Sequence, residues 1–345
     1  MVEKIKLLLS YLVMLLKLIV GNKGNRYVLL NSPEHGNLGD HAISLAEIQL
    51  FEKYNMNYVE LSGGFCRLFF AFLKKNVKET DCICVTGGGF LGSLWKNEDL
   101  FVQKIIASFP NNRIIIFPQT LFFSSEDGQY ITHFLGTFRQ HGNIVFFHRE
   151  KESFQVGNDV FRDTAIKNIL VPDMVLFYNW KYPRREIKKS KKIMFCFRDD
   201  KECVTSIEWK NNAFAYLVNS GYEVEECSTV QDGVISFFSR EKELDIFIHK
   251  IAESSLVITD RLHGMLFSVV AGTPCISLDN ISGKVGSVWN TWLYECEYVR
   301  FLKDGFSFSP QLIDTMLKMD IQDYELNIAD RYVDVLLAYL KSYIE

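Results

Sequence analysis

The stretch "ITDRLHGMLF", residues 258–267, sets a carboxylate, a guanidinium and an imidazole within four positions between an apolar run and an apolar helical pattern. Such a pattern predicts a strand passing into a helix, with Asp260 at the cap and Arg261 and His263 in the first turn. The helix dipole disfavours cations there unless an anion compensates them. The pattern therefore points to an anionic ligand, and a capping Asp260 paired with Arg261 is the structural alternative. An unperturbed imidazole titrates near about 6.5, so His263 is a candidate general acid or base and equally a hydrogen-bond donor to a bound anion.

Other polar groups fall where predicted strands end. "NSPEHGNLGDHAI", 31–43, carries His35, Asn37, Asp40 and His41 in seven residues, more than a turn requires. Asn37 or Asp40 can cap the following helix; Asn37 is also a candidate ligand contact and Asp40 a second candidate base. The two histidines match no common metal spacing. "VTGGGFLGSLW", 85–95, offers backbone N–H groups around Gly88 and Gly89 to an anion, or simply packs closely. It is neither a Walker A loop nor a full G-x-G-x-x-G fingerprint. Gln119 in "FPQT" supplies neutral hydrogen bonds. Arg149 in "HRE" and Arg198 in "FCFRDD" can clamp a carboxylate or phosphate. Asp173 in "VPDMVLF" reads as a turn or a site residue, and Lys284 in "LDNISGKVGSVWNTW" as an acceptor-phosphate contact or a solvated lysine.

The elements that must hold these groups alternate between β-branched or aromatic runs and helical patterns, the mark of parallel βαβ units. "YVLLN", "NYVEL", "DCICVT", "RIIIF" and "NIVFFH" supply strands in the first half; "IMFCFR", "YEVEEC", "SLVITD" and "PCISLD" supply them in the second. The expected division is an N-terminal apolar helix (1–25), a Rossmann-like domain (26–178), a proline-containing basic linker (179–192), a second Rossmann-like domain (193–308) and C-terminal helices (309–345). In the last of these Val333, Leu336, Leu337 and Leu340 form an apolar stripe. Open parallel sheets bind ligands beyond the carboxyl ends of their strands, so chemistry belongs in the cleft between the domains.

Composition narrows the class. With 345 residues, 48% of them hydrophobic, the chain has enough apolar material for two cores. A net charge of −4 lacks the signature of a nucleic-acid binder. Eight scattered cysteines read as reduced thiols of a cytoplasmic protein. In the N-terminal stretch, Leu7 to Leu16 is uncharged but Lys17 ends the run, short of the roughly 20 residues of a spanning helix. A packed helix or an amphipathic one touching the inner leaflet through residues 4–20 is expected, with Lys4, Lys6, Lys17 and Lys23 near lipid headgroups.

Taken together, "GNLGDHAI", "TGGGFLG", "PQT", "HREKES", "VPD" and "DRLHG…AGTPCISLDN…GK" resemble the polysaccharide pyruvyl transferase family over about residues 27–295. The resemblance implies an α/β, glycosyltransferase-B-like fold, two Rossmann-like domains facing across a cleft. It also implies transfer of pyruvate from phosphoenolpyruvate to sugar hydroxyls of a cell-surface glycan or its lipid-linked precursor, forming a ketal. No cofactor or metal beyond the donor substrate is implied. Carried over by motif, Arg149, Arg261 and His263 would meet phosphoenolpyruvate. Two other readings stand beside it. One is a nucleotide-sugar glycosyltransferase, with Glu225 or Glu226 toward a ribose; the other is a non-catalytic docking subunit of a glycan-assembly complex.

Overall fold

The computed structural model describes residues 2–20, 25–124, 126–180, 187, 189–200, 202–303, 308–319, 321 and 328–342. Half of the expected linker, residues 181–186 and 188, lies outside the described residues. The strands are β1 (Tyr27–Ser32), β2 (His35–Asn37), β3 (Tyr58–Ser62), β4 (Cys82–Val85), β5 (Gly88–Gly92), β6 (Ile114–Phe122) and β7 (Ile144–His148). They continue with β8 (Lys167–Leu170), β9 (Lys192–Cys196), β10 (Glu223–Cys227), β11 (Val230–Val234), β12 (Leu256–Thr259), β13 (Cys275–Leu278) and β14 (Val299–Leu302).

A seven-stranded sheet has the order β3-β1-β4-β6-β7-β8, with β5 also on β6, and a five-stranded sheet has the order β10-β9-β12-β13-β14. All pairings within the two are parallel, as near-continuous apolar strands flanked by helices require. Each run read as a strand in the sequence forms one. β6 runs on through Pro118 because its pairing with β7 is irregular between Ile116 and Gln119, where a missing N–H does no harm.

The two sheets are joined by polar pairings that local patterns do not announce. β2 and β11 form an antiparallel ribbon between the halves. The helix Leu38–Lys53 is buried on nearly all sides, lying against both the turn Met174–Phe177 and the helix Arg240–Glu253 of the second half. One hydrophobic core accordingly holds Leu29, Phe51 and Phe117 together with Met194, Val257 and Cys275. The helix Ile328–Lys341 returns to the first sheet with Leu336, Leu337 and Leu340 buried, and Tyr27 donates its hydroxyl to Leu340 O at 2.7 Å.

At the other edge, the helix Val2–Val20 buries Met14 and Leu18. Arg26, paired with Asp81 at 3.1 Å, donates to Leu18 O at 2.9 Å and so ties down its end. Its outer face leaves Ile5, Leu8, Leu9, Leu12, Leu16 and Val20 exposed. No described helix is long and apolar enough to cross a membrane.

The strongest polar link between the halves is Arg240, which donates from both terminal nitrogens to the two carboxylate oxygens of Glu60 at 2.6 Å each, both side chains being nearly buried. Removing one partner would strand a buried charge. Arg240→Ala is expected to cost about 3–5 kcal/mol in urea denaturation, whereas Arg240→Met with Glu60→Leu should recover most of that loss.

Candidate functional site

Strand β12 ends at Thr259, whose hydroxyl donates to Cys196 O at 2.7 Å and accepts from Arg261 N at 3.0 Å. This fixes the turn into the helix Leu262–Ala271. The residue at the cap is Arg261, with extended backbone and no side-chain cap. Asp260 therefore does not cap this helix. Its carboxylate turns to the loop after the neighbouring strand β9, accepting from Arg198 N at 2.7 Å and Thr205 Oγ1 at 3.1 Å.

His263 projects toward the first half and lies on Gly39. A Cβ at Gly39 would stand 1.9 Å from His263 Nδ1, so only glycine permits the approach. His263 Nε2 is 3.8 Å from Asp173 Oδ2, too far for a hydrogen bond, and is a buried nitrogen without a hydrogen-bond partner among the described residues. Asp173 also accepts from Arg149 Nη1 at 2.7 Å and, as cap of the short helix Met174–Phe177, from Val175 N at 2.9 Å. Burial pushes the Asp173 carboxyl up, but His263 and Arg149 outweigh burial and hold it at about 2. Arg149 Nε donates to Thr120 Oγ1 at 2.8 Å. Its guanidinium lies against Gly89, 2.6 Å from where a Cβ would stand.

These groups meet in a cavity of about 650 Å³ lined by both sheets. Arg149, Arg198, Arg261, His263 and Lys284 all face it. Arg261 donates to Phe197 O at 3.2 Å and lies 3.5 Å from Asp199. Arg198 is held by Asp200 at 2.7 Å and Glu202 at 2.9 Å. Lys284 Nζ donates to Glu202 Oε2 at 2.7 Å. Burial lowers the Lys284 pKa although Glu202 opposes it, so Lys284 is a cavity residue rather than a solvated one. A larger cavity of about 960 Å³ lies between the N-terminal helix and the helices Leu38–Lys53 and Arg240–Glu253, but none of the candidate residues lines it.

Asn37 and Asp40 line the same cavity as the cations. Asn37 caps the helix Leu38–Lys53 by accepting from Gly39 N at 3.1 Å and donates to Asp40 at 2.8 Å. Two expected contacts do not face the cavity. Gln119 is buried and donates to Thr86 O at 2.8 Å, holding the glycine loop from behind. Gly88, at φ +144, turns away into its pairing with Gln119 on β6 while Gly87 and Gly89 line the wall. Glu225 is taken up by Lys192 at 2.9 Å and Lys250 at 3.3 Å, and neither it nor Glu226 reaches the cavity.

Sequence reasoning passed over Glu47, which accepts from Thr86 Oγ1 and Gly87 N, both at 2.8 Å, and whose carboxyl burial pushes well above its ordinary range. Its signal was a lone carboxylate inside the apolar pattern "ISLAEIQLF". Among the described residues no group of three or more His, Cys, Asp or Glu is placed to hold a metal ion.

The depressed Asp173 carboxyl makes a prediction with a definite sign. Its folded pKa lies below the ordinary 3.8, so its contribution, about 2 kcal/mol, is present above pH about 4 and lost as the pH falls toward 2. Asp173→Asn should lose that stability at pH 7 and show a flatter stability profile than the wild type between pH 4 and 2, measured by denaturant titration at each pH.

The chain is similar to known proteins over most of its length. General stress protein 30 of Bacillus subtilis is 29% identical over 313 residues, 89% of each chain. Pyruvyl transferase 1 of Schizosaccharomyces pombe is 25% identical over 315 residues, covering 85% of this chain and 75% of its own length. A functionally uncharacterised protein of Klebsiella pneumoniae shares the fold with TM-score 0.59 at 20% identity, covering 84% of this chain and 97% of its own. The sequence pattern of the polysaccharide pyruvyl transferase family matches residues 37–282, from the cap of the helix at Asn37 to the loop before Lys284. This chain belongs to the polysaccharide pyruvyl transferase family and is a transferase.

Proposed function

We propose that the protein transfers pyruvate from phosphoenolpyruvate to a pair of hydroxyls on a polysaccharide or its lipid-linked precursor, leaving a cyclic ketal. Residues 26–178 and 193–308 act in this reading as two Rossmann-like domains of a glycosyltransferase-B-like arrangement. One observation carries it: three arginines, a lysine and a histidine with an unpartnered nitrogen converge on one cavity at the strand ends of both sheets. Phosphoenolpyruvate presents a carboxylate and a phosphate on three carbons, and fixed guanidinium groups bind both anions in defined orientations.

In the proposed sequence His263 delivers a proton to the enol methylene, and the adjacent carbon becomes cationic. A first sugar hydroxyl forms a C–O bond there and gives its proton to Asp40. The bond from that carbon to the phosphate oxygen then breaks with its electron pair, and inorganic phosphate departs between Arg149 and Arg261. A second hydroxyl adds, gives its proton to His263, which is thereby restored, and closes the ketal, while the proton held by Asp40 leaves with the phosphate. Asp173 and Gly39 position His263 without touching substrate. The nucleotide-sugar alternative draws no support from Glu225, which is occupied by lysines.

The exposed apolar face of the helix Val2–Val20 fits peripheral contact with the inner membrane face. The first 25 residues hold four lysines and one glutamate in a chain of net charge −4, and the adjoining helix Phe70–Asn76 exposes Lys74 and Lys75. Sedimentation with phosphatidylglycerol vesicles should recover the wild type, and Leu8→Ser with Leu12→Ser and Leu16→Ser should abolish that recovery. Recovery unchanged by the three substitutions would remove this part of the reading.

Incubation with phosphoenolpyruvate and extracted lipid-linked glycans, followed by mass analysis for the ketal, tests the chemistry. His263→Ala should fall by about 10² to 10⁴-fold; a folded variant within threefold of wild type refutes the role. Gly39→Ala, which forces the imidazole aside, should lose about 10²-fold in kcat with phosphoenolpyruvate binding largely kept.

A further inference from the structure

The cavity has a second end whose chemistry differs from the first. The cations come from the end of β7 and from the second sheet. The opposite wall is built at the β1–β3 edge of the first sheet and the loop after β5, where Glu34, Arg67, Trp95 and Glu98 line it with Phe90. Here two carboxylates stand beside one guanidinium. Arg67 donates to Glu98 at 2.6 Å and lies 3.4 Å from Asn31 Oδ1, so its guanidinium is already matched. Glu34 accepts from Tyr11 Oη at 3.1 Å and from Ser62. Such a wall offers a second anion little.

It does offer a ring and fixed polar groups. Trp95 keeps 39% of its surface exposed on the wall of a cavity, and a large aromatic held open to solvent between anchored polar side chains is a common design for binding. A pyranose ring presents an apolar C–H face for an indole and a rim of hydroxyls for carboxylates and an arginine. A three-carbon phosphate ester fills only part of the space.

We propose that this end of the cavity, with Trp95 as the stacking platform and Glu34 as a hydroxyl acceptor, is the subsite for the acceptor sugar. The assignment rests on phosphoenolpyruvate occupying the cationic end. It directs the sugar's hydroxyls along the wall from Glu34 to Asn37 and Asp40, which belong to the same loop and helix start. It also explains a contact of the N-terminal helix. Tyr11 of that helix holds Glu34, so the acceptor end is the end adjoining the exposed apolar face, where a sugar carried on a membrane lipid would arrive.

The probes are the methyl pyranosides of glucose, galactose, mannose and N-acetylglucosamine, with binding followed by saturation-transfer NMR and phosphoenolpyruvate binding by calorimetry. At least one glycoside should bind the wild type. Trp95→Ala should weaken it by tenfold or more, Trp95→Phe should restore it to within threefold, and phosphoenolpyruvate affinity should stay within twofold in both. Glu34→Gln should change the order of preference among the four sugars. Unaltered glycoside binding in Trp95→Ala, or no binding of any of the four to the wild type, overturns the subsite. Should Trp95→Ala not fold, an unchanged order of preference in Glu34→Gln together with full glycoside affinity in Trp95→Gln overturns it as well. Glycoside binding that depends on Trp95 in a protein that ignores phosphoenolpyruvate would support the subsite and refute the donor assignment instead.

Discussion

The site depends on one buried carboxylate. Asp173 is held by Arg149 from the first half and faces His263 from the second. A carboxylate removed from water is stable only while cations compensate it, and Arg149 supplies that compensation at the point where the two halves share a cavity. Gly39 completes the constraint by leaving no atom where His263 must lie. The imidazole is thus positioned by a charge on one side and by an absent side chain on the other.

Around that pair the remaining supports act at a distance. Glu47 and Gln119 hold the glycine loop from behind by bonding Thr86 and Gly87, leaving Gly87 and Gly89 on the wall. Arg240 and Glu60 join the halves beside the larger cavity, and the β2–β11 ribbon joins them at the wall of the site itself. The shared apolar core makes the joint continuous rather than a loose hinge. An anion entering the cavity would meet donors that are already oriented and partly desolvated, which is where hydrogen bonds to charge are strongest.

Much of this was legible before any coordinates. The strands β1, β3, β4, β7, β9, β10, β12 and β13 follow from runs of β-branched and aromatic residues, and parallel order follows from helices between them. Arg149, Arg198, Arg261 and His263 were readable because charged residues directly after apolar strands have nowhere to go but the strand-end cleft. Gln119 and Gly88 lie off the cavity wall, because a strand end has two sides and sequence spacing does not say which residue of a turn faces the cavity. The β2–β11 ribbon was missed because its polar and glycine-containing residues pair only across the two halves, and β5, β8 and β14 because four or five residues added beside a strand of their own sheet carry too little periodicity to announce themselves.

The sequence by itself determined the α/β class, the places where strands end, and the family pattern that runs through those ends, because each is written in local periodicity and spacing. Tertiary structure alone decided that Asp173 serves Arg149 and His263 rather than a simple turn, that Asp260 serves Arg198 rather than its own helix, and that Trp95 and Glu34 share a cavity with the cations. These are contacts between residues far apart in the chain. Their energies come from burial and charge compensation, which exist only after distant segments of the chain have packed together.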